Sequence, residues 1–188
     1  MKHNQTVYKL SLAGLLTALA VVGSFISIPI GGSKCAPVQH MVNIFGAVLL
    51  GPFWNVGIAF TASLLRNLLG LGSLMAFPGS MFGALLCGIA YWKSRNLVLT
   101  LLAEVFGTAI LGGFCAYLVA ILLMGADARS LAFYAYVIPF LISTAGGDFL
   151  SAILVTALKK TGALNQFRSG SEAQYYSEKT ITAHEKVQ

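Results

Sequence analysis

The sequence predicts an all-α integral membrane bundle of six transmembrane helices, with both termini on the cytoplasmic side. Three observations carry this reading. Hydrophobic residues make up 57% of the chain and charged residues 10%, with a mean hydropathy of +0.79; an ordinary soluble domain carries about 25% charged residues. Asp, Glu, Lys and Arg are absent from Leu10 to Ser33, Cys35 to Leu65, Asn67 to Trp92, Val105 to Ala126 and Ser130 to Gly147. Each run approaches or exceeds the roughly 20 residues that carry a helix across about 30 Å of hydrocarbon, and the longest has room for a helical turnaround. The basic residues are also sided. With the N-terminus inside, Lys2, Lys9, Lys93, Arg95, Lys159, Lys160 and Arg168 fall on the cytoplasmic side, and only Lys34 and Arg129 face out. The net charge of +6 is then explained by flanks that set topology and touch anionic lipid, so nucleic acid is not implied.

Taken in order, helix one spans about Lys9 to Ile30. Its apolar run is too long for a cleavable secretory signal, and no small-residue cleavage pattern follows. A polar loop then leads to helix two, about Val38 to Leu50. Gly51-Pro52 interrupts the pattern because proline cannot continue the hydrogen-bond ladder. Helix three runs from Trp54 to about Leu69. A glycine-rich link from Gly70 to Ser80 leads into helix four, which stops at Lys93-Ser94-Arg95. Helix five covers about Leu97 to Met124, and Gly125 to Ser130 turns the chain into helix six, about Tyr134 to Leu158. Residues 1–160 thus form one membrane domain. Residues 161–188 are polar and read as a flexible cytoplasmic tail.

Polar side chains are concentrated in GGSKCAPVQHMVN, Gly31 to Asn43. On a helix, Gln39, His40 and Asn43 fall within about 100° of arc and present one polar face. Neutral imidazole offers one donor and one acceptor, and the amides add both kinds, which suits a neutral heteroaromatic ligand with a hydroxyl better than a bare ion. Arg66 and Asn67 at the top of helix three, with Phe77-Pro78-Gly79 in the next loop, close the other side, Phe77 being available to stack on a ring.

Arg66, Glu104 and Asp148 stand within apolar runs, where a centred charge costs at least about 3 kcal/mol unless paired or hydrated. At 1.5 Å per residue they lie roughly 18, 13 and 16 Å from the inner helix ends, which suggests one interior network. It is either a structural cluster pinning three helices or the floor of a polar pocket. On helix one, Gly14, Ala18 and Val22 recur every four residues beside Ala13 and Thr17, a groove of small side chains for packing inside the bundle or for an external helix. Ridges at Gly79, Gly83, Cys87 and at Thr108, Gly112, Ala116 read as internal packing of helices four and five. Cys35, Cys87 and Cys115 have no metal spacing and read as buried thiols, Cys35 standing apart in the polar loop. No metal-ligand pair, nucleophile elbow or P-loop is present, so neither an enzyme nor a cofactor is expected.

The segments KCAPVQHMVNIFGAVLLGPFWN and LLRNLLGLGSLMAFPGSMFGALL resemble the ThiW family, thiazole-specific substrate-binding (S) components of energy-coupling-factor (ECF) transporters. The resemblance is close from Gly31 to Tyr91, with compatible hydropathy through Lys160. It implies capture of a thiamine precursor, hydroxyethylthiazole, at the outer face of a prokaryotic plasma membrane. Uptake would be driven by a separate transmembrane coupling protein and two ABC ATPases. It also implies contact between the coupling protein and Gly14, Ala18 and Val22, with glycine in place of the first alanine of an AxxxA-type pattern. The loop holding Lys34, Cys35 and Pro37 becomes a lid. Gln39, His40, Asn43 and Asn67 become hydrogen-bonding partners of the ring nitrogen and hydroxyl, while Arg66, Glu104 and Asp148 hold the helices in a binding-competent arrangement. Arg66 and Lys34 leave the ligand open between the free alcohol and its phosphate. A proton-coupled secondary transporter using Glu104 or Asp148, and a membrane enzyme or scaffold built on the Arg66 cluster, are the rival classes.

Overall fold

Helix α2, Pro37–Leu49, is only 13 residues long and contacts each of the other five helices among the described residues. The computed structural model describes residues 2–30, 33–127 and 132–162. The five helices around α2 are α1 (Lys2–Gly23, continued by a 3-10 turn to Ile26), α3 (Pro52–Leu68), α4 (Ala76–Ser94), α5 (Leu97–Met124) and α6 (Val137–Lys160). The expectations placed on Gly31, Gly32, Arg129, Ser130, Arg168 and the tail beyond Gly162 lie outside the described residues, as does that on the Lys2 side chain.

The six helices match the expected set in order and type. Three of them, spanning Thr6–Ile26, Leu97–Met124 and Val137–Lys160, are long and apolar enough to cross a membrane. At 1.5 Å per residue α2 reaches only about 20 Å, short of the ~30 Å hydrocarbon layer. Its shortness has a local cause. Proline at its first position sets the start, and Gly51, with φ 86° and ψ 179°, ends it in a conformation essentially reserved for glycine. Pro52 then opens α3 directly, where its missing N–H is one of the first-turn orphans.

Two local expectations are corrected. Helix one does not run to Ile30: the chain leaves the helix after Ile26 and forms a small antiparallel hairpin, β1 (Ile28–Ile30) against β2 (Ser33–Cys35), with Ile28 opposite Cys35. Helix four begins at Ala76, so Phe77, Pro78, Gly79 and Ser80 are helical and the preceding link is shorter than the sequence suggested. Pro78 falls in the first turn, where no i−4 carbonyl awaits its nitrogen. Within α5, Phe106–Gly112 is a π-helical segment that begins two residues after Glu104; such segments concentrate at functional sites. Helix α5 ends on Gly125, left-handed at φ 70°.

The distribution of polarity is inverted relative to a soluble protein. Leu10, Leu15, Val22, Leu118, Leu122 and Phe149 are exposed, whereas Gln39, His40, Asn43, Asn55, Arg66, Glu104 and Asp148 are buried. Lipid is as apolar as leucine, so close packing and interhelical hydrogen bonds must hold the bundle. Asn55 illustrates the second: its Nδ2 donates to the carbonyls of Asn43 at 2.8 Å and Ala84 at 2.9 Å, tying α3 to α2 and α4. Glycines provide the first. A Cβ on Gly112 would stand 2.5 Å from Gly79 Cα, and one on Gly107 would stand 2.7 Å from the Phe82 carbonyl oxygen, so α4 and α5 meet backbone to backbone as expected. Gly14 has open space where a Cβ would go.

Gly112→Val should therefore destabilise the fold by about 1–3 kcal/mol through overpacking against backbone, whereas Gly14→Val should leave it unchanged. Thermal denaturation of both variants in detergent checks the contrast.

Candidate functional site

The polar face of α2 is where the buried network starts. Glu104, fully buried on α5, receives three donors on one oxygen, Oε1. His40 Nδ1–H donates across 2.8 Å and Asn43 Nδ2 across 3.1 Å. The Thr108 hydroxyl stands 3.1 Å from Oε1 and 3.2 Å from the Gly79 carbonyl, one proton between two acceptors. A carboxylate is acceptor-only, so these geometries fix the groups behind them. With Nδ1 donating, His40 Nε2 is left to accept from the Ser143 hydroxyl at 3.1 Å, while Ser143 Oγ accepts the Ala36 N–H at 2.9 Å.

The amides are oriented by the same logic. Arg66 can only donate, so Gln39 must turn Oε1 toward it, 3.4 Å from the guanidinium. Gln39 Nε2 then donates to Asn43 Oδ1 at 3.2 Å, and Asn43 Nδ2 faces Glu104 Oε1 and the Ser80 carbonyl. Two side-chain amides thus run in one direction from a buried cation on α3 to a buried anion on α5. Glu104 Oε2, Arg66 Nε and both carboxylate oxygens of Asp148 have no hydrogen-bond partner among the described residues.

Above this network lies a pocket lined by Lys34, Gln39, His40, Arg66, Ser143 and Phe140, with Ala36, Ala76, Gly79, Ser80 and Thr108 completing the wall. Its volume of about 30 Å³ is room for about two water molecules. The hairpin strand β2 closes over it through three ties. Lys34 Nζ donates to the Gly70 carbonyl at 3.0 Å, Cys35 Sγ–H to the Pro139 carbonyl at 3.2 Å, and Ala36 N–H to Ser143. Burial raises the Cys35 thiol above the ordinary thiol range, so it serves as a packed donor rather than a thiolate.

Of the residues singled out by sequence, Lys34, Gln39, His40 and Arg66 line the pocket. Asn43 and Glu104 stand behind it as support. Asp148 lies within electrostatic reach of Glu104 but makes no hydrogen bond to the network. Asn67 turns to the Ser63 and Ser73 carbonyls, and Phe77 packs against Phe60 with centroids 5.8 Å apart; neither is in the lining. Pro37 begins α2 beneath the hairpin. Ser80, Phe140 and Ser143 were missed, because serine and phenylalanine are ordinary in membrane helices and no spacing set them apart, and Thr108 reads in the sequence only as part of a packing ridge.

A second concavity lies on the opposite side of α3. Ala13, Gly14, Thr17 and Ala18 of α1 face Gly57 and Thr61 of α3 across an apolar groove of about 730 Å³. Gly14 and Ala18 are exposed and Val22 is 63% exposed, so the small-residue stripe of helix one is not consumed by packing within the chain.

Glu104→Gln retains an acceptor at Oε1 and should fold with near-native stability, whereas Glu104→Ala leaves His40 Nδ1 without its acceptor and removes one of two acceptors from Asn43 and Thr108, and should cost about 1–3 kcal/mol. Melting temperatures of the two purified variants distinguish them.

No curated protein matches the chain. The family model for the thiamine-precursor transporter protein ThiW matches residues 10–161, which takes in α1 from Leu10 onward, the other five helices whole and every residue of the pocket. The chain is a membrane protein and belongs to the ThiW family of thiamine-precursor transporters.

Proposed function

We propose that this chain is the substrate-capture subunit of an ECF-type transporter, binding hydroxyethylthiazole in the pocket beneath the hairpin for ATP-driven uptake. The observation that carries the reading is the polar pocket itself: in a family of thiamine-precursor transporters, hydrogen-bonding side chains from α2, α3 and α6 converge under a short strand tied down by single bonds. In this reading the six-helix bundle sits across a prokaryotic plasma membrane, with the short α2 reaching only part of its depth, both termini cytoplasmic and the hairpin facing out. Gln39 and His40 address the ring nitrogen and the hydroxyl, and Phe140 offers the aromatic face. The hairpin and the Gly70 link move apart to admit the ring, since about 30 Å³ cannot hold it. Closure then removes water and strengthens each polar contact. The chain carries no ATP-binding motif, so energy comes from two ABC ATPases through a transmembrane coupling protein.

The α1/α3 groove suits that coupling protein. Its small residues let a partner helix approach closely, the usual basis of helix association in lipid.

One observation favours a second reading. The Asp148 carboxylate is 7% exposed and its oxygens have no partner among the described residues, as a proton-coupling group in a stand-alone secondary transporter would be.

Calorimetric titration should show hydroxyethylthiazole binding in preference to thiamine and to the pyrimidine precursor, with Gln39→Ala or His40→Ala weakening it by about 1–3 kcal/mol. Preference for thiamine or the pyrimidine would reject the thiazole assignment. Labelled hydroxyethylthiazole should enter cells only when the energising subunits are co-expressed; uptake that follows the proton gradient without them would establish the secondary transporter instead. Gly14→Leu and Ala18→Leu should abolish co-purification with the coupling protein while leaving thiazole affinity within about twofold, a difference of ~0.4 kcal/mol.

A further inference from the structure

We infer that the ligand of this pocket carries an anionic oxygen group, a carboxylate or a phosphate monoester, which docks between Arg66 and Lys34. The inference rests on the reading of the pocket as a thiazole-capture site and puts an anionic thiazole in place of the free alcohol named there.

Charge is the starting point. The two formally charged residues of the lining are both cations: Arg66, 2% exposed on α3, and Lys34, exposed on β2 at the rim. Glu104 and Asp148 are outside the lining. Buried charges are ordinarily paired, yet among the described residues Arg66 has no carboxylate within ion-pair distance, and Glu104 is met by the His40 imidazole instead.

Hydrogen bonding points the same way. A guanidinium carries five N–H donors and no acceptor. Among the described residues the Arg66 guanidinium makes one hydrogen bond, to Gln39 Oε1 at 3.4 Å, and its buried Nε has no partner. Lys34 uses one of its three donors on the Gly70 carbonyl. Acceptors facing these donors are scarce, because Gln39 Oε1 already meets Arg66, while His40 Nε2 and Ser143 Oγ engage each other. The pocket therefore has surplus donors beside a surplus of positive charge. A neutral alcohol supplies one oxygen and brings a donor of its own. An oxyanion supplies several acceptors and no donor when fully ionised, which is the complement of a guanidinium and an ammonium.

Glu104 does not neutralise this site directly. It is separated from Arg66 by two amides, Gln39 and Asn43, and its bonded oxygen is filled by three donors from α2 and α5. The relay aligns Gln39 with Arg66 but leaves Arg66 Nε without an acceptor.

The test is calorimetry on the full-length protein in detergent with four probes: hydroxyethylthiazole, its phosphate monoester, 4-methylthiazole-5-carboxylate and inorganic phosphate. At least one anionic thiazole should bind tenfold or more tighter than the alcohol, and the identity of that probe distinguishes carboxylate from phosphate. Arg66→Gln should collapse the ratio of anion to alcohol affinity toward one. Lys34→Gln, at an exposed position, should reduce that ratio several-fold and keeps the test open if the Arg66 variant fails to fold. Alcohol binding as tight as, or tighter than, both anionic thiazoles overturns the oxyanion site and leaves the thiazole-capture reading standing. Inorganic phosphate binding as tightly as the ester supports the oxyanion site and removes the ring from the recognised features. Absence of binding by all four probes to protein with an intact thermal transition overturns both.

Discussion

The fold depends on how one buried carboxylate oxygen is satisfied. Glu104 is fully enclosed, and an ionised carboxylate in hydrocarbon surroundings is tolerable only when donors replace water. Here His40 and Asn43 of α2 and Thr108 of the π segment supply them together. Each donor belongs to a side chain that must accept something at its other end, so the requirement propagates. It sets the histidine tautomer, the Ser143 hydroxyl and the direction of two amides as far as Arg66. A short polar helix at the centre of an apolar bundle is the consequence. Helix α2 contacts every other helix because the groups it must meet are distributed over α3, α4, α5 and α6.

The two ends of this chain of hydrogen bonds have different surroundings. At the Glu104 end, a Cβ on Gly83 would come within 2.9 Å of the carboxylate, and Glu104 itself is outside the pocket lining. At the Arg66 end there is a pocket. Support and recognition are thus divided along one relay. Helix α3 extends the division: Asn55, Ser63 and Arg66 face inward, while Gly57, Thr61 and Leu65 border the groove shared with α1. One helix therefore contributes to both the pocket and the surface proposed for the coupling protein, so a displacement of α3 at the groove would be felt at Arg66.

Much of this arrangement was legible in the sequence because hydrocarbon penalises polarity so heavily. Gln39, His40, Asn43, Arg66 and Glu104 stood out against apolar runs, and the structure joins all five by hydrogen bonds. The stripe of Gly14 and Ala18 was equally visible, although its outward direction required the surrounding helices. Other features left weaker traces. The hairpin occupies Ile28–Ile30 and Ser33–Cys35, segments whose apolar character at one side merges with helix one. Ser80, Thr108 and Ser143 carry hydroxyls that in most membrane helices bond to the preceding turn; only the facing positions of His40 and Glu104 give two of them another role. Asn67 and Phe77 looked available because the link before α4 was read as longer. With α4 starting at Ala76, Phe77 is held against Phe60 instead of lying on a loop.

The size of the pocket constrains how any ring could reach it. Helical walls cannot supply the missing volume, because α4 and α5 are already in contact through Gly79 and Gly112, and α2, α3 and α4 are pinned by Asn55. Moving those walls would separate backbones packed at van der Waals distance and strip two buried carbonyls of their donor. The hairpin side is held differently: one lysine ammonium, one thiol and one backbone N–H carry the hydrogen bonds from Lys34, Cys35 and Ala36 to the link and α6. Each of these donors can be re-satisfied by water or by a ligand once the strand lifts, so opening there forfeits little that solvent does not return. The cheaper displacement also frees Lys34 from Gly70 and leaves its ammonium to meet the incoming molecule. The bond that closes the pocket when empty and the charge that would hold an anionic ligand belong to the same side chain.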